Sequence, residues 1–157
     1  MVKAKEWLSF WGFAFSYSMT FILIILDFTY LKLVTLPFIV IVSSGFFMFT
    51  SIVSRLITQR QLGKYFSVNI KIHKQHQLIQ SGMYRYVRHP MYLFNIIIFL
   101  GLAGMFSSIL GIMSTLLLVV PTTLFRIKRE EYFLLEKFGN KYKQYQQKTK
   151  KLIPLLL

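Results

Sequence analysis

Three stretches without a charged residue dominate the chain: Trp7–Leu26, Leu33–Ser54 and Pro90–Phe125, of 20, 22 and 36 residues. An α-helix rises about 1.5 Å per residue and a bilayer core is about 30 Å thick, so about 20 apolar residues cross it once. The first two stretches each predict one crossing. The third is too long for one and predicts a hairpin that turns near Gly101–Ser108. The expected fold is all-α and membrane-integral, one domain over 1–157 with about four transmembrane helices. These are expected over about 7–30, 33–54, 90–105 and 108–125, with cytoplasmic segments at 55–89 and 126–157.

Between the second and third stretches the pattern changes. Phe66, Val68, Ile70 and Ile72 alternate with Ser67, Asn69, Lys71 and His73, a period of two that predicts an extended strand. Gln80–Gly82 reads as a turn. Pro90 suits the first turn of a helix, where its missing N–H costs nothing. Arg88 and His89 then stand at a helix N-terminus, whose free N–H groups favour an anionic ligand. After Phe125 the last span is expected to continue as a helix through Arg126 and Glu130 to a stop at Gly139, followed by a short polar helix near Lys141–Lys151.

Charge fixes the orientation. The chain carries 19 Lys and Arg against five Asp and Glu, a net charge of +14. With four crossings, 18 of the 19 fall on the side that holds both termini, and only Lys32 lies opposite. The positive-inside rule places that side in the cytoplasm and accounts for the charge with no nucleic acid as partner. The same basic face is suited to anionic lipid headgroups. The first stretch is longer than a signal-peptide core and no small-x-small site precedes Asp27, so it is expected to be a retained helix. Cysteine is absent, which excludes disulfides and thiolate chemistry. His73 and His76 have no third ligand nearby, and no metal is expected.

Taken singly, the polar groups have plain readings. Arg126 and Glu130 are four apart and would form an ion pair on a solvated helix face. His89 would anchor at the headgroup level, and Tyr84, Tyr86 and Tyr92 would be interfacial aromatics. Two clusters flanking one hairpin, however, converge at one membrane face.

Together these clusters carry a family pattern. His76–Tyr92 contains Gly-x-Tyr-x-x-x-Arg-His-Pro-x-Tyr, and Arg126–Tyr145 contains Arg-x-x-x-Glu-Glu followed by Phe-Gly-x-x-Tyr-x-x-Tyr. In this ordered pair the sequence resembles the isoprenylcysteine carboxyl methyltransferase family over roughly its C-terminal half. The resemblance implies that S-adenosylmethionine is held on the cytoplasmic side and that a lipophilic, lipid-like acceptor arrives from the bilayer. By resemblance His76, Gln77, Leu78 and Ile79 line the cofactor before the turn. Tyr84 and the segment Arg88, His89, Pro90, Met91 and Tyr92 form its loop wall. Glu130, with Glu131 beside it, contacts the cofactor, and Arg126 faces the acceptor. Phe94 stands where many members have glycine. The implied reaction is in-line methyl transfer to a carboxylate or hydroxyl oxygen, with Arg126 and Glu130 at its centre.

Two other classes compete. Membrane steroid and sterol reductases share an Arg-His-Pro-x-Tyr loop but bind NADPH, and their loop runs on as Asn-Tyr-Phe-Gly-Glu where this chain has Met91–Asn95. A non-catalytic lipid-binding membrane protein explains the charge and leaves the paired motifs without a reason.

Overall fold

A computed structural model of the chain describes residues 2–63 and 78–153. The alternating stretch Phe66–Ile72, together with His73, His76 and Gln77, lies outside these residues. Helix α1 spans Val2–Leu26 and continues as a π-helical turn, Asp27–Leu31, which ends where Lys32 adopts φ 49°. Helix α2 spans Phe38–Leu62. It begins later than the charge-free stretch because Pro37 lacks an N–H and restricts Leu36 to extended backbone. Helix α3, Pro90–Met105, leads through a tight turn at Ser107 into α4, Ile109–Phe138, which contains a π-helical turn at Thr115–Val119. Gly139 ends α4, and α5 follows at Asn140–Lys148. Among the described residues the only β pairing is an isolated bridge between Val87 and Lys150.

Among the described residues three helical stretches are long and apolar enough to cross a membrane: Ser9–Leu31, Phe38–Leu62 and Ile109–Phe138. Helix α3 is apolar but has 16 residues, a rise of roughly 24 Å. The protein is an all-α integral membrane protein.

Helix α1 packs along α4, and α2 along α3. The α2–α3 contact depends on small residues. A Cβ at Gly101 would lie 2.8 Å from Met48 Cβ and 2.9 Å from the Ser44 carbonyl, so no larger side chain fits. At one end of the bundle the buried Asp27 carboxylate accepts from the Ser108 hydroxyl and the Leu110 N–H at 3.0 Å each, and from the Leu33 N–H at 3.2 Å. It thereby ties the end of α1 to the α3–α4 turn. At the other end Ser16 meets Thr122 at 2.8 Å and Arg55 meets Asn95 at 2.6 Å. The four apolar helices therefore alternate in direction, and the polar segments gather at this second end.

Candidate active site at the polar end of the bundle

The loop before α3 is built on Gly82. Its φ of +60° is open to glycine, and the Gln61 side chain lies where a Cβ would stand. Gln61 Oε1 also accepts the Met83 N–H at 3.3 Å, anchoring the 3₁₀ turn Gly82–Arg85 on α2. The chain then runs beside its own C-terminal segment. The Arg88 N–H donates to the Lys150 carbonyl at 2.8 Å, the His89 N–H to that of Lys151 at 3.1 Å, and the Lys150 N–H to that of Tyr86 at 3.1 Å. The backbone N–H groups of Arg88 and His89, which precede the first turn of α3, are thus engaged by this segment. Its backbone pairing leaves no mark in side-chain pattern.

The side chains of this loop meet α4. Arg88 Nε donates to Glu131 Oε1 at 2.8 Å, and its other arm donates to the carbonyls of Gln146, at 3.1 Å, and Thr149. His89 is buried, with Nε2 at 3.3 Å from the same Glu131 oxygen and Nδ1 at 3.8 Å from Glu130 Oε2. Lys151 Nζ approaches Glu131 Oε2 at 3.8 Å. Glu131 lies beyond the apolar part of α4. Burial alone would raise its carboxyl, but the hydrogen bonds from His89 and Arg88 and the charge of Arg88 prevail and bring it down to about 2.

Glu130, one position earlier, presents a contrast. Its Oε2 atom is buried and has no hydrogen-bond partner among the described residues, and the same holds for the Tyr142 hydroxyl. Burial, and then the charge of Glu131, keeps the Tyr142 hydroxyl protonated well above the ordinary tyrosine range. Burial and then Glu130 do the same for Tyr84. Tyr145, pushed up to about 12 by burial, donates to the Tyr84 carbonyl at 2.6 Å and closes α5 onto the loop.

Arg126 sits one turn nearer the membrane and is 5% exposed, so the solvated face expected from its sequence neighbours does not form. Its Nε donates to the Tyr92 hydroxyl at 2.9 Å, and its guanidinium lies 5.0 Å from the centre of the Phe13 ring. Phe13, Tyr17 and Phe99 continue as an aromatic file into the bundle, with centroids 4.2 Å and 4.9 Å apart. On the far side of Tyr17, Arg55 binds Asn95 at 2.6 Å and Gln59 at 3.3 Å, with no ion pair among the described residues.

Among the remaining candidates, Leu78, Ile79 and Met91 are half-buried, Pro90 is buried, and His76 and Gln77 lie outside the described residues. Leu78 also lines a cleft of about 420 Å³ against Tyr145, Lys141 and Lys148 of α5. Phe94 is buried. Tyr142, Tyr145, Lys151 and Arg55 join the cluster without having been singled out. The Phe-Gly-x-x-Tyr-x-x-Tyr spacing is a signal for the two tyrosines, whereas Arg55 merely follows the charge-free stretch Leu33–Ser54.

A family model described as the isoprenylcysteine carboxyl methyltransferase (ICMT) family matches residues 39–136. The chain is 39% identical over 101 residues to the protein-S-isoprenylcysteine O-methyltransferase of Schizosaccharomyces pombe, covering 61% of this chain and 42% of the relative. It is 35% identical over 96 residues to a probable protein-S-isoprenylcysteine O-methyltransferase of Oryza sativa subsp. indica, covering 60% and 50%. For the protein-S-isoprenylcysteine O-methyltransferase B of Arabidopsis thaliana the figures are 29% over 96 residues, 60% and 49%. The chain spans about half the length of the curated relatives it matches.

Proposed function

The chain belongs to the isoprenylcysteine carboxyl methyltransferase family, and on that premise we propose that it methylates a carboxylate or hydroxyl oxygen of a lipophilic acceptor with S-adenosylmethionine as donor. The observation that carries this reading is the pair Glu130 and Arg126 on one face of α4. Glu130 Oε2 is a buried acceptor with no hydrogen-bond partner among the described residues, and Arg126 is a buried cation one turn toward the membrane. The first is open to the polar cofactor, and the second faces the side from which a bilayer-soluble acceptor comes. The comparisons lend no support to the reductase alternative.

The residues present fit the cofactor. Buried polar atoms are normally satisfied, so Glu130 Oε2 and the Tyr142 hydroxyl mark places where a ligand's hydrogen-bonding groups belong. Glu130 is suited to the ammonium or a ribose hydroxyl, and His89 Nδ1, the acceptor of the ring, to a donor group of the cofactor. Tyr84 and Tyr92 contribute aromatic wall. When bound, S-adenosylmethionine supplies an electrophilic methyl group.

The chain's own contribution is alignment and exclusion of water. An acceptor carboxylate is already an anionic nucleophile, so no general base is needed. Arg126 holds and orients it with charge-assisted hydrogen bonds, while the Tyr92 hydroxyl fixes the guanidinium. The file Phe13–Tyr17–Phe99 receives the apolar body, and Arg55 with Asn95 offers a second polar contact at its edge. All four apolar helices cross the membrane in this reading, with both termini and the site in the cytoplasm. The acceptor class is that named for the relatives, an S-isoprenylcysteine. Calorimetry in detergent tests the cofactor half. S-adenosylmethionine should bind and NADPH should not, whereas a preference for NADPH would refute the reading.

A further inference from the structure

We propose that Glu131 does not contact the cofactor but is the positioning residue that fixes the His89 ring, and that Arg88 and the segment Thr149–Lys151 in turn hold Glu131. The inference rests on the cofactor reading above and reassigns Arg88 and Glu131 within it.

One carboxylate serves both side chains of the loop. Glu131 Oε1 accepts from Arg88 Nε at 2.8 Å and lies 3.3 Å from His89 Nε2. An ionised carboxylate only accepts, so Nε2 carries the proton and the ring cannot turn over without losing this contact. Nδ1 then points toward Glu130 Oε2 at 3.8 Å, too far for a hydrogen bond. A ligand donor placed beside this pair could reach both acceptors, Nδ1 and Glu130 Oε2. Arg88 commits its Nε and one terminal nitrogen to Glu131 and the carbonyls of Gln146 and Thr149, which holds its guanidinium in the frame behind the ring. The C-terminal segment completes the frame: Lys151 presents Nζ to Glu131 Oε2 at 3.8 Å and its carbonyl to the His89 N–H at 3.1 Å. The His89 backbone, ring and opposing carboxylate are thus set by residues that stand behind the site, the arrangement by which outer partners orient a functional imidazole.

Glu131→Gln is close to isosteric and removes the charge, so it tests the tie directly. In protein labelled with ¹⁵N-histidine, the His89 ring signals are identified by their loss in His89→Gln. Wild type should show a single tautomer with the proton on Nε2, and Glu131→Gln a mixture. Calorimetry with S-adenosylhomocysteine should show affinity reduced roughly ten- to a hundredfold in Glu131→Gln, the loss expected for one charge-assisted contact. The KM for the acceptor should stay unchanged. If Glu131→Gln does not fold, Arg88→Lys serves instead, since an ammonium cannot span one carboxylate and two carbonyls. Unchanged ring signals, or unchanged affinity in a folded variant, would overturn the inference. Failure of wild type to bind S-adenosylhomocysteine would overturn the cofactor reading and this residue's role in it, while the ring spectrum would still decide whether Glu131 fixes His89.

Discussion

Arg126 and Tyr92 meet at 2.9 Å, guanidinium Nε to phenol hydroxyl, and the contact ties α4 to the first turn of α3 where the apolar part of α4 ends. A guanidinium at this depth, backed by the Phe13 ring, is expensive to bury and commonly marks function. Glu130, one turn further out, has its buried carboxylate oxygen Oε2, which makes no hydrogen bond among the described residues, on the side of His89. One helix face thus carries a cation toward the apolar part of the bundle and an anion toward its polar end.

These two groups should separate on substitution. Arg126→Ala should leave S-adenosylmethionine affinity nearly intact and lower turnover about a hundredfold, because alignment of the acceptor is lost. Arg126→Lys should rescue poorly, since an ammonium cannot reproduce the planar fork. Steady-state kinetics with a prenylated cysteine analogue, set beside calorimetry, reads both numbers. Equal loss of cofactor affinity in Arg126→Ala would place Arg126 on the cofactor side.

Much of this arrangement was legible in the sequence because it follows from local chemistry. Pro90 at the first position of α3, the stop at Gly139 and the i,i+4 placement of Arg126 and Glu130 depend on neighbours within a few residues. The contacts that were not legible join distant segments through groups every residue possesses. Nothing in Thr149–Lys151 announces that its carbonyls receive Arg88 and His89. Arg55 and Asn95 lie 40 positions apart, and their pairing follows from helix register. Charge boundaries also misplaced the start of α2, because Pro37 rather than Lys32 decides it.

Asp27 should matter to stability and not to the site. Asp27→Ala leaves the Leu110 N–H and the Ser108 hydroxyl without their carboxylate in a buried setting, at a cost of about 1–3 kcal/mol for each group left unsatisfied. Thermal unfolding in detergent should move down while S-adenosylhomocysteine affinity in the folded fraction stays at the wild-type value. A loss of affinity with no loss of stability would contradict this role.

Acid should release the C-terminal segment. The Glu131 carboxyl titrates at about 2 in the fold against an ordinary 4.5, so its contribution is fully present above pH 4.5 and is lost as pH falls toward 2. Protection of the Arg88 and His89 amides in hydrogen exchange should decline over that interval in wild type. In Glu131→Gln it should be lower at pH 5 and change less with acid. A profile identical in the two proteins would show that Glu131 does not hold the segment.

Orientation has its own test. Single cysteines at Gln80 and Lys148, both exposed at the polar end, should be labelled from the cytoplasm only, and one at Lys32 from the opposite side only. Labelling of Gln80 and Lys148 positions from different sides would remove α3 or α4 from the crossings.

The most direct measurement is transfer of a radiolabelled methyl group from S-adenosylmethionine to an S-farnesylated cysteine derivative by the purified chain in lipid vesicles. Wild type should yield a base-labile methyl ester, and Arg126→Ala and Glu130→Ala should each depress its formation about a hundredfold. Ester formation at the wild-type rate in both variants would contradict the account, because the acceptor would then be aligned without the two residues on which the site is built.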